Sequence, residues 1–140
     1  MIRKRRTMIL IKGSSDVPAK LAQEIQDSYE VKRIEESNNG LVMIKVREKA
    51  KQSLFYLGEV LITECKVMIN GFLGIGIVQG HQPELAHNLA VIDAAYNASL
   101  AEINAWTKVL LIEENRINKD NQVFMKKILK TKVNFDTMNV

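Results

Sequence analysis

The chain has 140 residues, of which 46% are apolar and 26% charged. That is the balance of one globular domain with a real core, and it excludes a disordered or fibrous protein. Cys65 is the single cysteine, so an internal disulfide and a thiolate cage for zinc or iron–sulfur are excluded. A net charge of +4 favours anionic partners weakly. The basic run at Arg3, Lys4, Arg5 and Arg6 lacks interleaved aromatics, so nucleic acid is the weaker reading and a solvated surface the ordinary one.

The longest apolar stretch, residues 72–78, holds two glycines and falls far short of the roughly 18 residues a membrane span needs. The apolar segment behind the basic run is also too short for a secretory signal, so the expected location is the cytoplasm.

The chain opens on an ambiguous segment, since residues 8–11 fit either a buried strand or one apolar helical turn. Ser14, Ser15 and Asp16 then supply capping oxygens, and Pro18 suits a first helical turn. Val17, Leu21 and Ile25 follow at four-residue spacing, which predicts a helix to about Ser28.

The middle reads as an antiparallel meander. Asn39-Gly40 and Asn70-Gly71 are turn signals that favour positive φ. The first separates residues 29–35 from 41–47, and the second separates 65–69 from 72–79. Residues 54–63 form a long apolar strand pattern expected to bend near Thr63 and Glu64. The expectation is four to five strands.

Beyond Gly80 the pattern turns helical. Leu85, Leu89, Ile92, Tyr96, Leu100 and Ile103 recur every three or four residues, beside a row of small residues at Ala86, Ala90, Ala94 and Ala98. A final helix covers part of residues 110–130. Val133, Phe135 and Met138 then lie in an apolar tail, residues 131–140, without a clear element. The fold class is α+β, one domain over residues 1–140 with helices before and after the sheet.

The chemistry is sparse. Gly74, Gly76 and Gly80 miss the spacing of phosphate and dinucleotide loops, but they share one parity of a strand and bare its face to a neighbouring element, a partner chain or a ligand. His81 and His87 are six apart, unlike a one-face metal pair, and surface roles are the ordinary reading. Cys65 reads as a buried inert thiol. Glu59 interrupts an apolar strand and shares parity with Thr63, and Asp93 sits in an alanine-rich helix. A carboxylate in either place must be paired, solvated or shifted in pKa. No nucleophile, base and oxyanion site assemble from these residues. A small anion- or nucleotide-binding domain or enzyme using Glu59 and Asp93 near Gly80 and His81 stays open.

Four blocks in order support a closer comparison: Gly40-Leu-Val-Met-Ile-Lys-Val-Arg47, Phe55-Tyr-Leu-Gly-Glu-Val-Leu-Ile-Thr63, Gly74-Ile-Gly-Ile-Val-Gln-Gly80, and Ala90-Val-Ile-Asp-Ala94. With the tail Thr131-Lys-Val-Asn-Phe-Asp-Thr-Met138, the chain resembles the PhnG family, subunits of the bacterial carbon–phosphorus lyase core complex. The resemblance runs from about residue 40 to 95 and resumes at the tail, with a weaker fit at the leading helix.

It implies phosphonate breakdown in a hetero-oligomer with PhnH, PhnI and PhnJ subunits. The complex handles ATP and an alkylphosphonate, releasing adenine and forming α-D-ribose 1-methylphosphonate 5-triphosphate. An iron–sulfur cluster and S-adenosylmethionine are implied for a partner subunit only, and no cofactor or metal for this chain. A non-catalytic assembly role is implied, and a homodimer of the isolated chain stays open. Candidate contact or ligand-adjacent residues are Glu59, Thr63, Gly74, Gly76, Gly80, His81, Asp93, Val133, Phe135, Thr137 and Met138. The chain departs from the family pattern at His81 and Gln82, where arginine and an acid are frequent, and at Asp136, where an aromatic is common.

Overall fold

A computed structural model describes residues 2–47 and 53–138, without the side chains of residues 46, 54–56 and 133–138. Helix α1 spans Arg3–Lys12, resolving the ambiguous opening as helix, and α2 spans Asp16–Ser28. Strands β1 (Lys32–Arg47), β2 (Leu54–Ile69) and β3 (Phe72–Gln79) form one antiparallel sheet in the order β1-β2-β3. Helix α3 covers Pro83–Asn97 and α4 runs from Ile103 to Met138.

The sheet has three strands, fewer than the expected four to five, because two expected breaks are absent. Asn39 and Gly40 lie within β1, paired with Thr63 and Ile62 of β2. The long β2 ladder holds them extended, overriding the local turn preference. Thr63 and Glu64 likewise continue through β2 without a break. The second turn signal behaves as its chemistry requires: Asn70 (φ 51°) and Gly71 (φ 83°) make the tight β2–β3 hairpin.

Helix α3 is the centre of the molecule. Ala86, Leu89, Ala90, Val91, Ile92, Ala94 and Ala95 are all buried, leaving it almost no solvent face. One side packs on β2 and β3, and α2 and α1 also contact it. The helix ends at Asn97, short of the expected row to Ile103, and Ser99 turns the chain at φ 53°.

Helix α4 has 36 residues, so the expected unstructured tail is instead helical through Met138. Its first turns enter the core through Trp106 and Leu110. Arg5 of α1 clasps Glu114 through Nε at 2.8 Å, and the Ser14 N–H donates to Glu113 at 3.0 Å. Residues 121–132 are exposed throughout.

The ladder is also uneven. Strand β3 pairs only with residues 62–69 of β2, whereas β1 pairs with β2 out to Leu54. The distal halves of β1 and β2 therefore form a two-stranded ribbon beyond the three-stranded sheet. Leu41, Met43 and Leu57 on it are exposed by 55–64%.

Candidate functional site

Most of the candidate residues collect at two joints where α3 meets the sheet. The first is a clasp at the α3 entrance. Thr63, 1% exposed on β2, donates its hydroxyl to the Gly80 carbonyl at 2.6 Å and accepts the Gln82 N–H at 3.0 Å. His81 Nδ1 lies 3.0 Å from Asn39 Oδ1, a bond in which the imidazole N–H donates. Gly80 turns the chain at φ 81°, a conformation that favours glycine. Thr63, Gly80 and His81 thus meet, joined by Asn39 and Gln82. The sequence signal for the first of those two was misdirected, because Asn39 belongs to the apparent turn pair.

The clasp predicts a stability effect. Thr63→Val keeps the shape but leaves the Gly80 carbonyl and the Gln82 N–H without their partner. The expected loss is about 1–3 kcal/mol in urea unfolding, the usual cost of orphaned buried groups. A loss below about 0.5 kcal/mol would contradict the clasp.

The second joint holds Gly74, Gly76 and Asp93. A Cβ on Gly76 would fall within van der Waals contact of the Ala86 carbonyl and 2.7 Å from the Ala90 nitrogen, and one on Gly74 would lie 2.6 Å from the Ala94 Cβ. The bare strand face and the small helix face therefore pack on each other within this chain. Asp93 is 5% exposed and locks the joint. Its carboxylate accepts Arg6 Nη2 at 2.7 Å, Arg3 Nη2 at 3.1 Å and the Ile75 backbone N–H at 3.0 Å. Arg6 is equally buried, with its guanidinium 4.1 Å from the centre of the Tyr96 ring. Burial pulls the Arg6 pKa below the ordinary arginine value, against the opposing pull of Asp93. Nothing in the sequence pointed to Arg3 and Arg6, which looked like part of a solvated basic run.

Glu59 does not join Asp93. It stands exposed on the β1–β2 ribbon opposite Met43. Asp93 has three donors around it inside the protein, so the two carboxylates make no shared acid–base pair. Val133, Phe135, Thr137 and Met138 lie on the last turns of α4, and their side chains fall outside those described.

One pairing was invisible in the sequence. Cys65 of β2 and His87 of α3 line a cleft of about 550 Å³ with Gln26, Arg33, Glu36 and Ser37. The thiol donates to the Glu35 carbonyl at 3.5 Å, and its sulfur lies 3.8 Å from His87 Nδ1. His87 Nε2 faces the Gln26 amide at 3.0 Å. Cys65 is 1% exposed and its thiol is already hydrogen-bonded, the environment of a packed cysteine. Burial first, and the Arg33 charge second, lower the His87 pKa.

A histidine whose folded pKa is depressed binds protons less readily than in the unfolded chain. Stability from the neutral ring is complete above its unfolded pKa of about 6.5 and declines as pH falls through that value towards the folded pKa. Urea unfolding at pH 7.5 and 5.5 should show this loss, and His87→Gln should reduce it.

Among the described residues, no group of three or more histidine, cysteine or acidic side chains could hold a metal. No described helix is long and apolar enough to cross a membrane.

The profile of a family described as phosphonate metabolism protein PhnG matches residues 1–139. The chain belongs to the PhnG family. This covers essentially the whole chain, including the leading helices where the sequence resemblance was weaker, and assigns the chain a role in phosphonate metabolism. No curated protein matches it. In this PhnG-family chain, both joints lie within the matched region and both serve the α3–sheet contact.

Proposed function

We propose that the chain is a non-catalytic assembly subunit of the carbon–phosphorus lyase core complex, working with PhnH, PhnI and PhnJ subunits in the cytoplasm. In that reading the complex joins a phosphonate oxygen to C1′ of the ATP ribose and breaks the bond from C1′ to adenine. The product is α-D-ribose 1-methylphosphonate 5-triphosphate. The iron–sulfur cluster and S-adenosylmethionine of the later radical step belong to a partner.

One observation carries the reading. At Thr63 and at Asp93 the buried polar groups are taken up by partners within the chain, whereas two elements project beyond the core with apolar side chains exposed. Exposed apolar surface of that kind marks contact with another protein more readily than chemistry on a small molecule. Co-expression of the tagged chain with PhnH, PhnI and PhnJ tests it, followed by native mass determination of the eluate. A hetero-oligomer is expected. A chain eluting alone would overturn the reading and return attention to ligand binding by the isolated domain.

A further inference from the structure

Helix α4 carries one stripe from Trp106 to Thr131, and the molecule covers only the first part of it. Trp106 and Leu110 are 1% and 0% exposed, and Ile117, two turns further, packs against the core from its edge. Helix α1 lines the same side as far as Asn121. At the same three- and four-residue spacing the stripe continues through Asn121, Phe124, Ile128 and Thr131. There Phe124 and Ile128 are 62% and 44% exposed, with Met125 and Leu129 open beside them. A contiguous exposed apolar seam of this kind favours a covering surface.

The charge of this segment selects the cover. Residues 121–132 contain four lysines, at 126, 127, 130 and 132, and no carboxylate. Lys127 lies three residues after Phe124 and four before Thr131, and Lys132 lies four after Ile128. Both therefore flank the seam, in the positions that pair with charges across a helix interface. No described carboxylate pairs with Lys126, Lys127 or Lys130, whereas Arg116 nearer the core bonds both Glu113 and Asp120. A second copy of this segment would set lysine against lysine in either orientation. A lipid surface would bury the Asn121 amide on the inserted face, where hydrocarbon offers it no hydrogen bond.

We propose that residues 121–132 of α4 are a docking helix for a protein partner that offers an apolar groove edged with aspartate and glutamate. This rests on the assembly reading above and names the element and the chemistry by which the chain is held. The buried anchors are Phe124 and Ile128, and the flanking lysines set register and on-rate.

The test uses the full chain co-expressed with PhnH, PhnI and PhnJ, in three forms: unaltered, Phe124→Asp with Ile128→Asp, and Lys127→Glu with Lys132→Glu. Circular dichroism melts of the free chains check folding, which substitutions at these exposed positions should leave intact. Capture should fall at least tenfold in the first variant. In the second it should fall several-fold at low salt, with the difference shrinking as salt screens the charges. Normal capture of both variants overturns the assignment to α4 and leaves the assembly reading standing. No capture of the unaltered chain overturns both. A homodimer abolished by the aspartate pair, or flotation of the free chain with phosphatidylglycerol vesicles, replaces the proposed partner with a second copy or with lipid.

Discussion

Asp93→Ala should lower the free energy of unfolding by about 3–5 kcal/mol, the usual cost of leaving a buried charge without its partner. Arg6 is 5% exposed and would keep its positive charge with only the Tyr96 ring face against it, and the Ile75 N–H would lose its acceptor. Arg3, whose side chain is 61% exposed, would simply return to water. Urea unfolding monitored at Trp106 measures the loss. A double variant separates charge from shape. Asp93→Leu with Arg6→Met removes both ions together and should recover most of the stability, because a buried pair is worth little against apolar residues of similar size. What remains lost belongs to the Ile75 N–H, about 1–3 kcal/mol. If Asp93→Ala costs less than about 1 kcal/mol, the carboxylate is not holding α1, α3 and β3 together.

Gly76→Ala should cost at least about 3 kcal/mol, the upper end of what overpacking a core usually does. The added methyl would enter the Ala86 carbonyl, a backbone atom of the central helix that no rotamer change can move. Relief requires α3 to lift from β3, disturbing the layer that also carries Asp93 and the Thr63 clasp. Gly58→Ala supplies the control, since no atom of the described residues lies within 4 Å of a Cβ there and the residue is in the same sheet. Its effect should stay within about 0.5 kcal/mol. A thermal melt of both variants distinguishes a packing requirement at Gly76 from a general intolerance of side chains in the strands. Equal melts would refute the close α3–β3 contact.

These two residues also show how far the candidate site was legible. Gly74 and Gly76 could be placed on one strand face and Ala86, Ala90 and Ala94 on one helix face, because periodicity is local. That the two faces meet each other is a statement about the order of elements in space. Asp93 could be marked as a carboxylate needing a partner. Its partners Arg3 and Arg6 lie about 90 positions earlier in the chain, in a run indistinguishable from solvated charge. Cys65 and His87, 22 apart on a strand and a helix, likewise give no common local signal.

The sequence by itself determined the elements whose boundaries depend on neighbouring residues. Pro18 and the four-residue apolar spacing define α2, Asn70-Gly71 defines the tight hairpin, and Pro83 with Glu84 opens α3. Backbone preference and periodicity act over a few residues, so they can be read there. The tertiary structure decided the outcome wherever local preference met a longer-range alternative. Asn39-Gly40 stays extended because the β1–β2 ladder, with the Asn39 contact to His81, holds it so. The stripe of α4 continues past the point where its own core ends, because its distal half runs beyond the reach of α1 and the α3 layer. Which elements cover one another depends on contacts between distant positions, and that information resides in the folded arrangement rather than in any local stretch of the chain.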